Sequence, residues 1–209
     1  MIRTLAPSIF VLGCLSAAEL VRVDATALDL PDGTVVASID NPGSAGAFTT
    51  VAGSVLTASH PANDNASAHI QGLQFGGSDK MVAAQLAATV GLSGNQVHSV
   101  RAWVWNADLG NEETIVAWGR RGGGPNGSNC GFHQGESNSF GAVGHWGANH
   151  DVAYGTENGT DIGATAGRWT HLAYTFDGSV SRVYIDGQLS NSKDHGPLSI
   201  HGESNPIAL

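Results

Sequence analysis

The sequence predicts an all-β chain folded as a two-sheet antiparallel β-sandwich. Three observations carry this. Residues 167–189 read GRWTHLAYTFDGSVSRVYIDGQL, in which Leu172, Tyr174 and Phe176 alternate with His171, Ala173 and Thr175. Strict alternation buries one face of a strand and wets the other. Asp177-Gly178 then supplies the positive backbone angle of a hairpin turn, and Arg182 to Ile185 runs into a second turn signal at Asp186-Gly187. A hairpin buried on one side needs another layer to cover it. Finally, glycine fills 29 of 209 positions, about twice its usual share, which suits many turns between short strands. The length is enough for one domain with a sizeable core.

At the N-terminus, Arg3 precedes an apolar run, Leu5 to Leu12, and Ser16-Ala17-Ala18 offers small residues for cleavage after Ala18. This reads as an export signal over residues 1–18, too short for a permanent membrane helix. Val11-Leu12-Gly13-Cys14 also resembles a lipobox, which would make Cys14 the lipidated first residue. Either route places the protein outside the cytoplasm, secreted, periplasmic or at the cell surface, and only lipidation at Cys14 ties it to a membrane. The remaining domain spans 19–209. Leu20 to Leu28 alternates and reads as the first strand, turned by Pro31-Asp32-Gly33. Val35 to Ile39 and Phe48 to Val51 read as short strands. His60 to Ala68 is polar with Pro61 and reads as surface loop, followed by a strand over His69 to Phe75 and a turn at Gly76-Gly77-Ser78-Asp79. Met81 to Val90 is alanine-rich and reads as a single helical stretch. Val97 to Trp105 is the clearest central strand, with Trp103 and Trp105 on one face. The loops are Gly122 to Ser128 and Asn149 to Gly163. Pro206-Ile-Ala-Leu offers one last strand.

The pattern Gly167-x-Trp169-Thr170-His171-apolar-Ala173, then Asp177-Gly178, then Tyr184-apolar-Asp186-Gly187, resembles laminin-G-like, concanavalin-A-like jelly rolls. In the same order, Leu73 to Asp79 resembles the family's strand-plus-turn, Ser99 to Trp105 (SVRAWVW) its core strand, and Glu113 to Arg121 and Phe140 to Trp146 resemble a secreted bacterial branch of it. The resemblance covers about Leu20 to the end. It implies a jelly-roll sandwich and, most commonly, carbohydrate binding. Such jelly rolls close with a strand beside the first. This chain stops before one, so it is expected to lack its last C-terminal strand and to leave an open edge. The resemblance also makes Trp169 a structural tryptophan. Trp103, Trp105 and Trp169 are accordingly expected to pack inside.

Lys+Arg number 9 against Asp+Glu 18, a formal charge of −9. That argues against a nucleic-acid surface, which needs a basic patch, and against adhesion to anionic lipid. Cys14 and Cys130 are the two cysteines, so Cys130 stands alone after cleavage and reads as a small buried hydrophobe on a strand.

Sugars present apolar C–H faces and many hydroxyls, so a sugar site needs an aromatic platform flanked by hydrogen-bonding side chains. Trp118, Arg120 and Arg121 end one strand, His133 and Gln134 another, and His145, Trp146, His150 and Asp151 a third. The candidate ligand-binding residues are Trp118, Arg120, His133, Gln134, His145, Trp146 and Asp151. The partner expected is a carbohydrate or an extracellular protein. Calcium, which takes six to eight oxygens, would centre on Asp79, with Asp151, Glu157 and Asp161 as alternatives. Relatives of the resembled family include calcium binders and non-binders. His145, His150 and Asp151 match no standard zinc spacing. No alternating carboxylate run of a retaining glycosidase occurs, nor a nucleophile elbow, phosphate loop or dinucleotide fingerprint. The reading is therefore a secreted non-catalytic binding module. A structural or assembly domain is the alternative, and a glycoside hydrolase the more distant one.

Overall fold

The computed structural model describes residues 18–122, 126–147, 149–155 and 159–209. All of the proposed export signal except Ala18 lies outside these residues. Thirteen strands are present, with two short 3-10 turns and no α-helix among the described residues.

The larger sheet contains β1 (Ser38–Ile39), β2 (Phe48–Ala52), β5 (Lys80–Leu86), β7 (Thr114–Gly119), β8 (Asn129–His133), β9 (Val143–Gly144) and β13 (Pro206–Ala208). Its order is β1-β2-β5-β13-β7-β8-β9. The smaller sheet contains β6 (His98–Val104), β10 (Thr170–Phe176), β11 (Val180–Ile185) and β12 (Gln188–Asp194), in the order β12-β11-β10-β6. A separate hairpin pairs β3 (Leu56–Ala62) with β4 (Asn65–Gln74). All strand pairings are antiparallel.

The core lies between the two sheets because each sheet buries alternate residues. Thr170, Leu172, Tyr174 and Phe176 point inward from β10, and Ser181, Val183 and Ile185 from β11. Phe48, Met81, Val116, Trp118, Cys130 and Phe132 answer from the larger sheet, and the Phe132 and Tyr174 rings stack 6.0 Å apart. The hairpin turn at Asp177-Gly178 forms as the sequence predicts. Asp177 Oδ1 accepts the Ser179 and Val180 amides, and Gly178 takes φ 105°. Cys130 is buried on β8 with its sulfur 3.9 Å from His98 Nε2. Burial pushes the thiol's pKa up and that of the His98 imidazole down, so this pair is not an activated nucleophile.

Several expectations are corrected. Leu20 to Leu28 forms no strand; Ala25–Leu28 is a 3-10 turn capped by Asp24, and Leu20 and Asn41 tie the segment to the loop before β2. The expected surface loop at 60–68 is hairpin, with Pro61 tolerated because β3 pairs only with β4 along this stretch. Met81 to Val90 is not helical. It supplies β5, whose Met81 and Ala83 are buried: sheet pairing on both sides overrides alanine's helix propensity. The last strand the sequence offers does form: Pro206–Ala208 sits inside the larger sheet, where Ala208 is paired with Val82 and Ala117.

The tryptophans divide. β6 is an edge strand, not a central one, and its even-numbered residues turn toward the core. Trp103 therefore faces outward and is 64% exposed. Trp105 is half-buried outside the main core, with His60 stacked on it at 3.5 Å. Trp169 is buried beneath the β3–β4 hairpin. Its backbone N–H donates to Asn63 Oδ1 and its carbonyl accepts from Asn63 Nδ2. Gly72 lies close enough that a Cβ there would come within 3.2 Å of the indole.

Candidate functional site

β8 is buried along its whole length, but for two different reasons. Cys130 and Phe132 face the smaller sheet. Asn129, Gly131 and His133, by alternation, face away from it. On that outer side Asn129 and His133, with Gly144 of β9, floor a cleft of about 360 Å3. Its walls come from Glu112 and Arg121, which flank β7, and from Phe140, Trp146, Gly147 and Asp151 around β9; Asn126 closes one end.

Each wall has a local cause. Arg121 donates to Glu112 through both Nη atoms, at 2.6 and 3.0 Å, a forked pair that holds the guanidinium in one plane. Its Cζ lies 5.9 Å from the centre of the Trp146 ring, within cation–π range. Trp146 has φ 61°, an uncommon backbone state for a bulky residue. Asp151 holds it there: Oδ1 accepts the amides on either side, His145 N at 2.7 Å and Gly147 N at 3.3 Å. The indole remains 43% exposed.

His133 lies flat across two glycines. A Cβ on Gly131 would come within 2.7 Å of its Cε1, and one on Gly144 within 3.2 Å of its Nε2. Its Nδ1 is 3.1 Å from Thr114 Oγ1 and its Nε2 is 3.7 Å from Glu112 Oε1. Burial pushes its pKa down to about 4; the Glu112 carboxylate opposes this and Arg121 adds to it. The imidazole is neutral at ordinary pH.

Behind the cleft lies a histidine layer inside the sandwich. His145 Nδ1 sits 2.9 Å from the Asn129 carbonyl. A carbonyl only accepts, so Nδ1 carries the proton and Nε2 accepts from Tyr174 Oη at 3.3 Å. His195 repeats the arrangement, with Nδ1 on the Gly196 carbonyl and Nε2 on Ser181 Oγ. Burial pushes the His145 pKa down to about 3; its bond to the Asn129 carbonyl opposes that, and the neighbouring His195, His98 and His150 add to it.

The predicted site residues therefore separate. The cleft gathers His133, Trp146 and Asp151. Trp118 is in the core, edge-on to His98. His145 is fully buried, and Gln134 is buried against Thr165 Oγ1 and Asn106. Arg120 is exposed and does not line the cleft. Sequence reasoning missed Glu112, Asn126, Asn129 and Phe140. The signal for Glu112 was its own charge nine residues before Arg121, which becomes proximity only when Glu112 and Arg121 flank the same strand.

Asp79 is a turn lock. Its two carboxylate oxygens accept Ser54 N and Gly76 N. Asp161 caps Gly163 N, and Glu157 lies outside the described residues. No group of three His, Cys, Asp or Glu side chains among the described residues could hold a metal ion. Within the cleft, both Glu112 oxygens are engaged by Arg121 and Asp151 Oδ1 is engaged by backbone.

Domain 4 of AbnA, a GH43 extracellular arabinanase from Geobacillus stearothermophilus solved in complex with arabinotriose, has a similar fold. The TM-score is 0.54 at 20% identity, covering 86% of this chain and 84% of that one. No curated protein matches the chain. The model of the concanavalin A-like lectin/glucanases superfamily, of laminin-G type, matches residues 75–209, a span that takes in the whole smaller sheet, all of the larger one except β1 and β2, and every wall of the cleft. The chain belongs to the concanavalin A-like lectin/glucanases superfamily.

Proposed function

We propose that this domain is a non-catalytic carbohydrate-binding module that works outside the cytoplasm, and that the cleft over β8 and β9 holds the sugar. One observation carries the reading: a half-exposed indole, Trp146, is fixed in a strained backbone state over a cleft rimmed by Arg121 and Glu112 and floored by His133 and Asn129. A sugar ring stacks its C–H face on such an indole while fixed polar groups read its hydroxyls. The Arg121 charge is already matched by Glu112, and Asp151 adds a negative charge nearby. The cleft therefore favours neutral oligosaccharides over uronates.

Arabinotriose is the first probe, because the similar AbnA domain was solved with it. Titration calorimetry against neutral oligosaccharides, arabinotriose included, should show saturable binding. Trp146→Ala should weaken it at least about tenfold, the loss of one stacked ring, without lowering the melting temperature by more than a few degrees. Absence of binding across the panel, or unchanged affinity in Trp146→Ala, overturns the reading.

A further inference from the structure

The outer face of the smaller sheet carries a second group of side chains that the cleft does not use. Alternation places Ser99, Arg101 and Trp103 of β6 on this face, with His171, Ala173 and Thr175 of β10, and Val180, Arg182 and Tyr184 of β11. The strand register sets His171 opposite Trp103, and Ala173 opposite both Arg101 and Tyr184. The Trp103 and His171 rings lie 5.3 Å apart. Ala173, the smallest of the group, is thus framed by Trp103, His171, Arg101, Tyr184 and Thr175. With strands about 5 Å apart, Arg101 and Tyr184 stand about 10 Å from each other across it. That is a shallow saddle the size of a sugar ring.

The charges on this face differ from those of the whole chain. Arg182 is paired with Asp177 and Arg168 with Asp186. Among the described residues neither the Arg101 guanidinium nor the Tyr184 hydroxyl has a hydrogen-bond or ion-pair partner. The local balance is one uncompensated positive charge beside an indole that is 64% exposed. The acidic remainder of the surface is screened beyond a Debye length of about 8 Å. A guanidinium without a partner is a carboxylate receptor.

We infer that this face is a second glycan-binding surface, selective for polysaccharides bearing uronate residues. A pyranose ring would stack on Trp103, and its carboxylate would pair with Arg101 while Tyr184 and His171 meet its hydroxyls. The surroundings favour a sugar over a protein partner. A protein interface centres on a contiguous apolar patch, whereas here one indole sits among Arg, His, Tyr, Thr and Ser. The inference is independent of the cleft.

The test uses the full chain and two probes: oligogalacturonate and its methyl ester, which keeps the ring and removes the charge. Oligogalacturonate should bind, more weakly as salt rises, and more tightly than the ester. Trp103→Ala should reduce affinity at least about tenfold, and Trp103→Phe less so. Arg101→Gln should abolish the preference for the acid over the ester. Binding should persist in Trp146→Ala, which removes the cleft indole. Trp103 and Arg101 are exposed, so thermal melts of these variants should match the parent. No binding, binding lost in Trp146→Ala but kept in Trp103→Ala, or equal affinity for acid and ester overturns the inference. So does sedimentation showing that Trp103→Ala dissociates a dimer, since the face would then be a contact between copies of the chain.

Discussion

His145 and Trp146 are adjacent in the chain, yet one is sealed beneath the larger sheet and the other stands over its outer side. His145 is wholly buried, with both ring nitrogens bonded and its pKa pushed down to about 3. Trp146 is 43% exposed. The two look alike as signals, since each is a binding-type residue near a strand end. What separates them is which side of β8 they reach. The inner side is packed for stability, and there both ring nitrogens of His145 have partners. The outer side leaves a ring and charges in reach of solvent, which is where the proposed sugar site lies.

The largest test of this division is a pair of alanine variants. His145→Ala leaves a cavity and strips partners from the Tyr174 hydroxyl and the Asn129 carbonyl. Cavity and unpaired groups together should cost about 3–4 kcal/mol in urea unfolding. Trp146→Ala should cost less than about 1 kcal/mol, because a half-exposed ring gives up little burial. Equal losses would break the division.

That contrast also shows what could be read from the sequence. The β10–β11 hairpin was legible because one face is buried and one is wet, so hydrophobicity alternates along five registered pairs. The β3–β4 hairpin was legible only in the second half of β4, from His69; its turn end was not, because β4 opens on residues exposed on both faces that run Asn, Ala, Ser, Ala, His. Parity put Trp103 and Trp105 on one face but could not say which face was the core. That depended on Val100, Ala102 and Val104, less bulky yet turned inward. At the site, Asp151, His133 and Trp146 were legible as residue types. Their separation from Trp118 and His145 was not, because β9 is only two residues long and fixes no parity for the residues beyond it.

Acid should sharpen the comparison next. In the unfolded chain these histidines take up protons near pH 6.5, whereas in the folded chain His133 does so near 4 and His145 near 3. His98 and His195 are lowered too, chiefly by burial. Between those limits the unfolded state binds more protons, so stability is full above about pH 6.5 and falls as pH falls. Each histidine contributes a slope approaching about 1.4 kcal/mol per pH unit. Urea midpoints at pH 7, 5.5 and 4.5 should therefore decline, and less steeply in His145→Ala. A flat profile would show that the histidine layer admits protons while folded.

A smaller effect is expected where the hairpin meets the smaller sheet. Asn63 is bonded to both the N–H and the carbonyl of Trp169. Asn63→Ala should cost about 1–2 kcal/mol for two backbone groups left without partners. It should also raise hydrogen exchange in β3 and β4 ahead of β10. Uniform exchange across all three strands would mean that the hairpin is held by something other than this amide.

The smallest stability change should come from Glu112→Gln, and it divides the cleft most finely. The Arg121 side chain is 61% exposed, so breaking this pair should cost less than about 1 kcal/mol. Its consequences are electrical instead. The Glu112 carboxylate is what opposes burial at His133, so its removal should move the His133 pKa below its value of about 4. Arg121, released from its fork, would swing free of Trp146. Affinity for a neutral oligosaccharide should then fall about three- to tenfold while discrimination against uronates weakens, because an unpaired guanidinium now lies in the cleft. Titration of the His133 ring by NMR and calorimetry on the same variant read the two effects separately. A His133 pKa that rises instead would mean that Glu112 acts on the cleft only through Arg121, and that the recognition side is tuned by one cation rather than by a pair.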